Sequence, residues 1–534
     1  MSVESPAALS SSAGEPPPAP RSRAGAPPPA LLLAGAVTAA VSLVPLVYLI
    51  VRVSGAGWER AAEVLIRPRT LETLGTSVAL VAVVVAACLL IGIPTGWLLA
   101  RTALPMRTAW LSVVALPLAV PSYVAAYGWL AQFPLSGFWA AALILTLVCS
   151  PYVTIPVAAA LGSSDPALEE VARTLGRGPV RAFAQTTLIG AWPAAAGGAL
   201  LIALYVLSDF GAVALLRVDA FTRVIYSSYR ASFDRVGATV LAVLLVALAI
   251  LLITAERRVR GSHRRWRVGA GAQRETPRIP LRGVARVAAL GWLMSLTALA
   301  VGVPLVSLLL RMLEGSRTPL APGELAAAAV TSLGVACAGT VLALALAIPV
   351  GILAGRYRTT GVRVVESLCY AGHALPGVVV GLSLVFLTLA VFPAAYLSVA
   401  VLAFAYAVLF LPKAIGATRA ATAAVPPVLE VTARTLGRGP LNAWRATTLR
   451  LSLPGIAGGA LIVLLTAMKE LPATLMLRPT GLDTLATELW SRTEVAAYGS
   501  AAPYALALVV LAALPAWLLG RAVTGDLVGE AGRP

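Results

Sequence analysis

The sequence predicts an all-α polytopic membrane protein of about twelve transmembrane helices, arranged as two six-helix repeats of the same orientation. Three observations carry this expectation. The 534 residues are 59% hydrophobic and 12% charged, with a mean hydropathy of +0.87, far outside the range of soluble chains. The apolar residues gather into runs of roughly 18 to 27, the length a helix needs to cross the hydrocarbon core. The second half of the chain then repeats the first, motif for motif.

In chain order, residues 1–29 are rich in Ser, Ala and Pro without periodicity and read as a disordered cytoplasmic tail. The first repeat occupies 30–254, with spans expected near 30–51, 76–100, 109–131, 137–161, 191–216 and 237–254. The first run lacks a small-residue cleavage pattern and is read as a span, not a signal peptide. A basic cytoplasmic linker at 255–286 carries ten arginines, from Arg257 to Arg286. The second repeat occupies 287–521, with spans near 287–310, 330–354, 365–391, 394–416, 453–477 and 501–519; residues 522–534 form a second cytoplasmic tail. An N-terminus inside puts most basic residues on the cytoplasmic side, as the positive-inside rule requires. A multi-pass protein of the cell (inner or plasma) membrane, with both termini cytoplasmic, is expected.

Composition also excludes classes. The formal net charge of +18 does not indicate nucleic acid, because the arginines fall between apolar runs without interleaved aromatics. The lipid bilayer is the expected partner. Cys88, Cys149, Cys337 and Cys369 are scattered through apolar segments, so neither disulfides nor a cysteine metal site are expected. With His263 and His373 as the two histidines, a nucleophile–histidine enzyme has little material. His373 is read as a helix residue, not a ligand.

The repeat is dense. Ile93-Pro94-Thr95-Gly96 with Arg101 matches Ile348-Pro349-Val350-Gly351 with Arg356, and Pro121 matches Pro376 at the same offset. After a short insertion Pro151 matches Pro412, Pro166 matches Pro427, Pro193 matches Pro454, Gly197-Gly198 matches Gly458-Gly459, and Asp209 matches Glu470. An even number of spans per half keeps both copies in one orientation. The prolines inside spans are expected to bend helices statically, and the glycine pairs to permit close packing.

Each half contains one polar island: Glu169-Glu170-Val171-Ala172-Arg173-Thr174-Leu175-Gly176 and Glu430-Val431-Thr432-Ala433-Arg434-Thr435-Leu436-Gly437. Asp165 can cap the first, Pro166 suits its first helical position, and Gly176 stops it. Leu168, Val171, Ala172 and Leu175 form one apolar stripe, repeated by Leu429, Thr432, Ala433 and Leu436. For a single such helix, lying on its own bundle or on headgroups is the simple reading. Two copies at matched places suit a two-fold surface for a two-fold partner.

These islands, with Phe183 and Thr187-Leu188 after the first and Trp444 and Thr448-Leu449 after the second, resemble the EAA loop of ATP-binding cassette importer permeases. Lys469-Glu470-Leu471-Pro472-Ala473-Thr474 and Ser208-Asp209-Phe210-Gly211-Ala212 are similar to stretches of the fused iron(III) permeases. The resemblance implies a type I importer: two copies of an ATPase subunit below and an extracytoplasmic solute-binding protein above that delivers ferric ion. It implies ATPase docking through Glu169, Glu170, Ala172, Leu175 and Gly176, and through Glu430, Ala433, Leu436 and Gly437. The second copy departs, with Val431 at the position of Glu170. No Gly-x-x-x-x-Gly-Lys-Ser/Thr loop occurs, so no cofactor is expected in this chain and ATP would be bound by the partner.

Asp209 and Glu470, far along their spans, are expected near the outer mouth. Either they serve the ion route as hard oxygen groups, or they pair with Arg217, Lys469 or Arg478 or cap the next turn. No metal site is assigned. A thiamine or phosphonate permease of the same design is the near alternative, and an ion-gradient-driven secondary transporter or channel the distant one.

Overall fold

The computed structural model describes residues 27–164, 166–231, 234–260, 278–314, 322–372 and 375–531. Asp165, His263 and His373 lie outside them, as does most of the basic linker. Among the described residues the chain is helical, its one extended pairing an isolated bridge between Thr102 and Ile279. Ten helices among the described residues are long and apolar enough to cross a membrane: Pro29–Ala56, Pro68–Arg101, Phe138–Gly162, Pro179–Ser208 and Arg235–Ala255 in the first half, and Gly283–Leu313, Pro322–Arg356, Val399–Ala423, Pro440–Ala467 and Tyr498–Pro515 in the second.

Twelve spans are expected from hydropathy; the structure has ten, or eleven if Arg107–Ala119 and Ser122–Gln132, bent by 88°, count as one. The difference sits at the third span of each half. Pro121 and Pro376 are extended (ψ 144° and 152°) and stand directly before Ser122–Gln132 and Gly377–Val391. Proline lacks the N–H that a continuous helix needs and drives its predecessor from the α region, so both apolar runs are broken there. Pro94, Pro193, Pro349 and Pro454 remain inside continuous helices. The fifth span of each half also ends early, at Ser208 and Ala467, before short helices Gly211–Leu215 and Pro472–Leu477.

The halves are interlocked, because the first span of each packs on the other. In Pro29–Ala56, Thr38 donates to the Leu346 carbonyl (3.0 Å) and Tyr48 to that of Phe386 (3.0 Å), while Ser383 donates to the Pro45 carbonyl (2.7 Å). Reciprocally, from Gly283–Leu313, the Trp292 indole donates to Thr95 (2.9 Å) and Arg311 Nε to the Ala131 carbonyl (2.9 Å).

Within each half small residues let spans touch backbone to backbone. A Cβ on Gly198 would lie 2.4 Å from the Tyr152 carbonyl oxygen, so this contact of the fourth and fifth spans requires glycine.

Candidate functional site

The polar islands fold as short helices, Ala167–Thr174 and Pro427–Thr435. The first starts one residue later than expected, with Pro166 as its N-cap rather than its first turn; in the second, Pro427 is the first helical residue. Both end alike. Gly176 (φ 81°) and Gly437 (φ 83°) are left-handed, a conformation that disfavours side chains. Gly176 N–H bonds the Arg173 carbonyl (3.0 Å) and Arg177 N–H that of Ala172 (3.2 Å), and the second copy repeats both distances with Arg434 and Ala433. This is the Schellman arrangement, which satisfies carbonyls a helix end leaves open.

The apolar stripes are largely uncovered. Ala172 and Ala433 are buried, whereas Leu175 is 75% and Leu436 78% exposed, with Leu168, Val171, Val428 and Val431 exposed as well. A helix of eight or nine residues is marginal alone, so something other than that stripe must hold it to the bundle.

The holding group is a polar clamp. Glu169 pairs with Arg101 at the end of Pro68–Arg101 and accepts from Thr187 (3.1 Å) at the start of the fifth span. In the second half Arg356 donates to Thr448 (2.6 Å), and Thr448 donates to Glu430 (3.3 Å). Glu169 and Glu430 are thus the equivalent pair, both half-buried and turned toward their own bundle. Glu170 and Val431 are exposed beside them, so the two surfaces differ by one carboxylate. Sequence reasoning flags Arg101, Arg356, Thr187 and Thr448 as repeated or family-like residues but does not place them against the glutamates. The following helices, from Pro179 and Pro440, each contain a π-turn, at Ala184–Leu188 and Arg445–Leu449, an irregularity frequent at functional sites.

At the other end of the fifth spans, Asp209 and Glu470 occupy the breaks. Asp209 accepts from the N–H groups of Ala212 (3.0 Å) and Val213 (3.3 Å) and from Ser122. Glu470 accepts from the Ala473 N–H (3.1 Å). Each carboxylate caps the short helix that follows, where an anion is favoured. Ser122 is matched by Gly377, and a Cβ there would lie 2.3 Å from Glu470 Oε1. The shorter acid therefore goes with serine and the longer acid with glycine. Arg478 pairs with Asp483, not with Glu470. Among the described residues no group of three or more His, Cys, Asp or Glu side chains could hold a metal ion. Cys88, Cys149 and Cys369 are buried free thiols, and Cys337 is an exposed one.

A duplicated, interlocked helical bundle with one outlying polar helix per copy defines a multi-pass transport permease built from two fused halves. The model of the family described as binding-protein-dependent transport system inner membrane component matches twice, over residues 92–260 and 347–523, and the chain belongs to that family. Both polar helices fall inside the matched stretches. The chain is 33% identical over 480 residues to the Fe(3+)-transport system permease protein FbpB 2 of Haemophilus influenzae, covering 89% of this chain and 95% of that one. Shorter matches reach the molybdate/tungstate transport system permease protein WtpB of Thermococcus kodakarensis (26% identity, 36% of this chain and 79% of that one) and the sulfate transport system permease protein CysT of Escherichia coli (26%, 40% and 84%). The chain is thus a permease of an ATP-binding cassette importer.

Proposed function

We propose that this permease imports ferric iron, delivered by an extracytoplasmic binding protein and driven by two copies of an ATPase docked at Ala167–Thr174 and Pro427–Thr435. The observation that carries the iron reading is the match through both halves to a permease whose name gives Fe(3+). The uncovered stripes around Leu175 and Leu436 support docking, since a partner cleft would bury them. ATP would be held by the ATPase. The linker supports a cytoplasmic orientation: Ile279 bonds the backbone of Arg101 and Ala103 (2.8 and 3.0 Å), so the end of the basic linker lies on the same side as the first polar helix, and both would be cytoplasmic.

The test is reconstitution of the permease with its ATPase in proteoliposomes. ATP hydrolysis stimulated by ferric-loaded but not empty binding protein, together with iron accumulation, would support the proposal. Stimulation by another solute's binding protein would replace iron with that solute.

A further inference from the structure

Of the 41 basic residues two are lysine, Lys413 and Lys469, and every other is arginine. Neither lysine is exposed. Lys413 stands about 21 Å along the span Val399–Ala423, counted at helical rise. Lys469 lies at the break after Pro440–Ala467, beside Glu470. All three side chains are half-buried, and charges at such depth face the protein interior or a water-filled route, not lipid.

Lys469 lies on the seam between the halves. Its Nζ donates to the carbonyls of Leu118 (3.1 Å) and Ala119 (3.3 Å), in the broken third span of the first half. Lys413 donates to Thr466 (3.2 Å) and lies 5.4 Å from the centroid of the Phe410 ring. The Thr466 carbonyl accepts from the Lys469 N–H (3.2 Å), so Lys413, bonded to the Thr466 hydroxyl, stands within one turn of Lys469 and Glu470. The matching residues of the first half, Tyr152 and Ser208, are neutral. Two ammoniums against one carboxylate leave this place with an excess of positive charge. A bare cation would be repelled there, and an anion attracted.

We propose that Lys413 and Lys469 form an anion contact on the transport route, so that cargo crosses as an oxyanion or as a metal complex carrying anionic oxygen ligands. The choice of lysine fits this role. An ammonium is a point charge with rotatable donors that can leave the Leu118 and Ala119 carbonyls for a passing ligand, whereas a guanidinium is a rigid fork. The proposal rests on the importer reading but not on iron.

The test uses the complete complex in proteoliposomes with three probes: ferric ion with labelled phosphate, ferric ion with labelled citrate, and molybdate without iron. Variants are Lys413→Gln, Lys469→Gln, their double, and Lys→Arg at each. Glutamine still donates to the carbonyls, so a purely structural Lys469 would leave transport kinetics unchanged. The double variant is expected to co-purify with the ATPase and to raise the KM for cargo at least tenfold, with partial recovery in the arginine variants and labelled anion entering beside the metal. Iron entering without either anion, at an unchanged KM in the double variant, would overturn the contact and leave the iron reading standing. Uptake of molybdate alone, lost in the double variant, would uphold the contact and overturn iron.

Discussion

Replacing Arg101 with methionine removes the guanidinium that holds the first polar helix, Ala167–Thr174, while keeping most of its stem. The side chains of Arg101 and Glu169 are 7% and 13% exposed, so solvent screening is slight. Breaking a buried pair from one side leaves the other charge uncompensated and costs about 3–5 kcal/mol. The bond from Thr187 remains, which places the expectation near the lower bound, about 3 kcal/mol. Arg356→Met removes a guanidinium that reaches Glu430 only through Thr448; a bond from a charged donor contributes about 1.5–3 kcal/mol, and because Thr448 still donates to Glu430 the expectation lies at the lower bound, about 1.5 kcal/mol. Because so short a helix has little stability of its own, the cost falls on its attachment. Hydrogen exchange should therefore accelerate roughly a hundredfold over residues 167–178 in Arg101→Met, and about tenfold over 428–439 in Arg356→Met. Exchange mass spectrometry on the assembled complex measures both. Equal acceleration of the two helices, or none at the first, would refute the clamp.

Gly176→Val and Gly437→Val meet no steric neighbour, so their effect is the backbone strain of a left-handed β-branched residue, about 1–2 kcal/mol each. Both are expected to lower ATPase co-purification, with the bundle intact by size-exclusion chromatography. Charge removal by Glu170→Gln should weaken docking at the first site, whereas Val431 offers no equivalent charge to remove; binding titrations of the ATPase decide this. A tag at residue 270, in the basic linker, should be shielded from impermeant reagents in intact cells and accessible after membrane opening; labelling in intact cells would overturn the orientation. Gly377→Ser should cost about 1–3 kcal/mol by pressing on the Glu470 carboxylate, and Glu470→Asp in the same chain should restore stability by recreating the Ser122–Asp209 pairing. Thermal melting of the four-variant cycle reads the coupling, and additive losses would show that the two sites are independent.

The parts of this architecture legible in the sequence depend on local physics. Apolar length marks most spans, and a left-handed glycine after Thr174-Leu175 and Thr435-Leu436 marks the ends of both polar helices. The third spans are not legible in this way, because Pro121 and Pro376 interrupt apolar runs just as Pro94 and Pro349 do, yet only the first two break the helix. What distinguishes them is the extended backbone that their surroundings impose, which hydropathy does not record. The clamp is hidden for a different reason: Arg101 and Glu169 are 68 residues apart, and Arg356 and Thr448 are 92 apart. Exchange of the first spans is hidden most deeply, since a lipid-length apolar run carries no indication of which half it will pack against.

The clamp also sets what each polar helix is attached to. Glu169 is fixed at once to the end of the second span, through Arg101, and to the start of the fifth, through Thr187. The fifth span then runs from Pro179 to Ser208 and delivers Asp209, which caps the next helix and takes a bond from Ser122 in the broken third span. One helix of 30 residues, about 45 Å long, therefore joins the exposed stripe to the buried carboxylate. In the second half the corresponding helix delivers Lys469 and Glu470, and Lys469 crosses to the carbonyls of Leu118 and Ala119 in the first half's broken span. The two levers thus meet the seam with unequal chemistry: an acid held by serine on one side, and an acid with two ammoniums on the other. A displacement applied equally at both polar helices would reach one charged and one largely neutral wall, so on the proposed docking of two ATPase copies equal pushes need not give equal responses in the two halves.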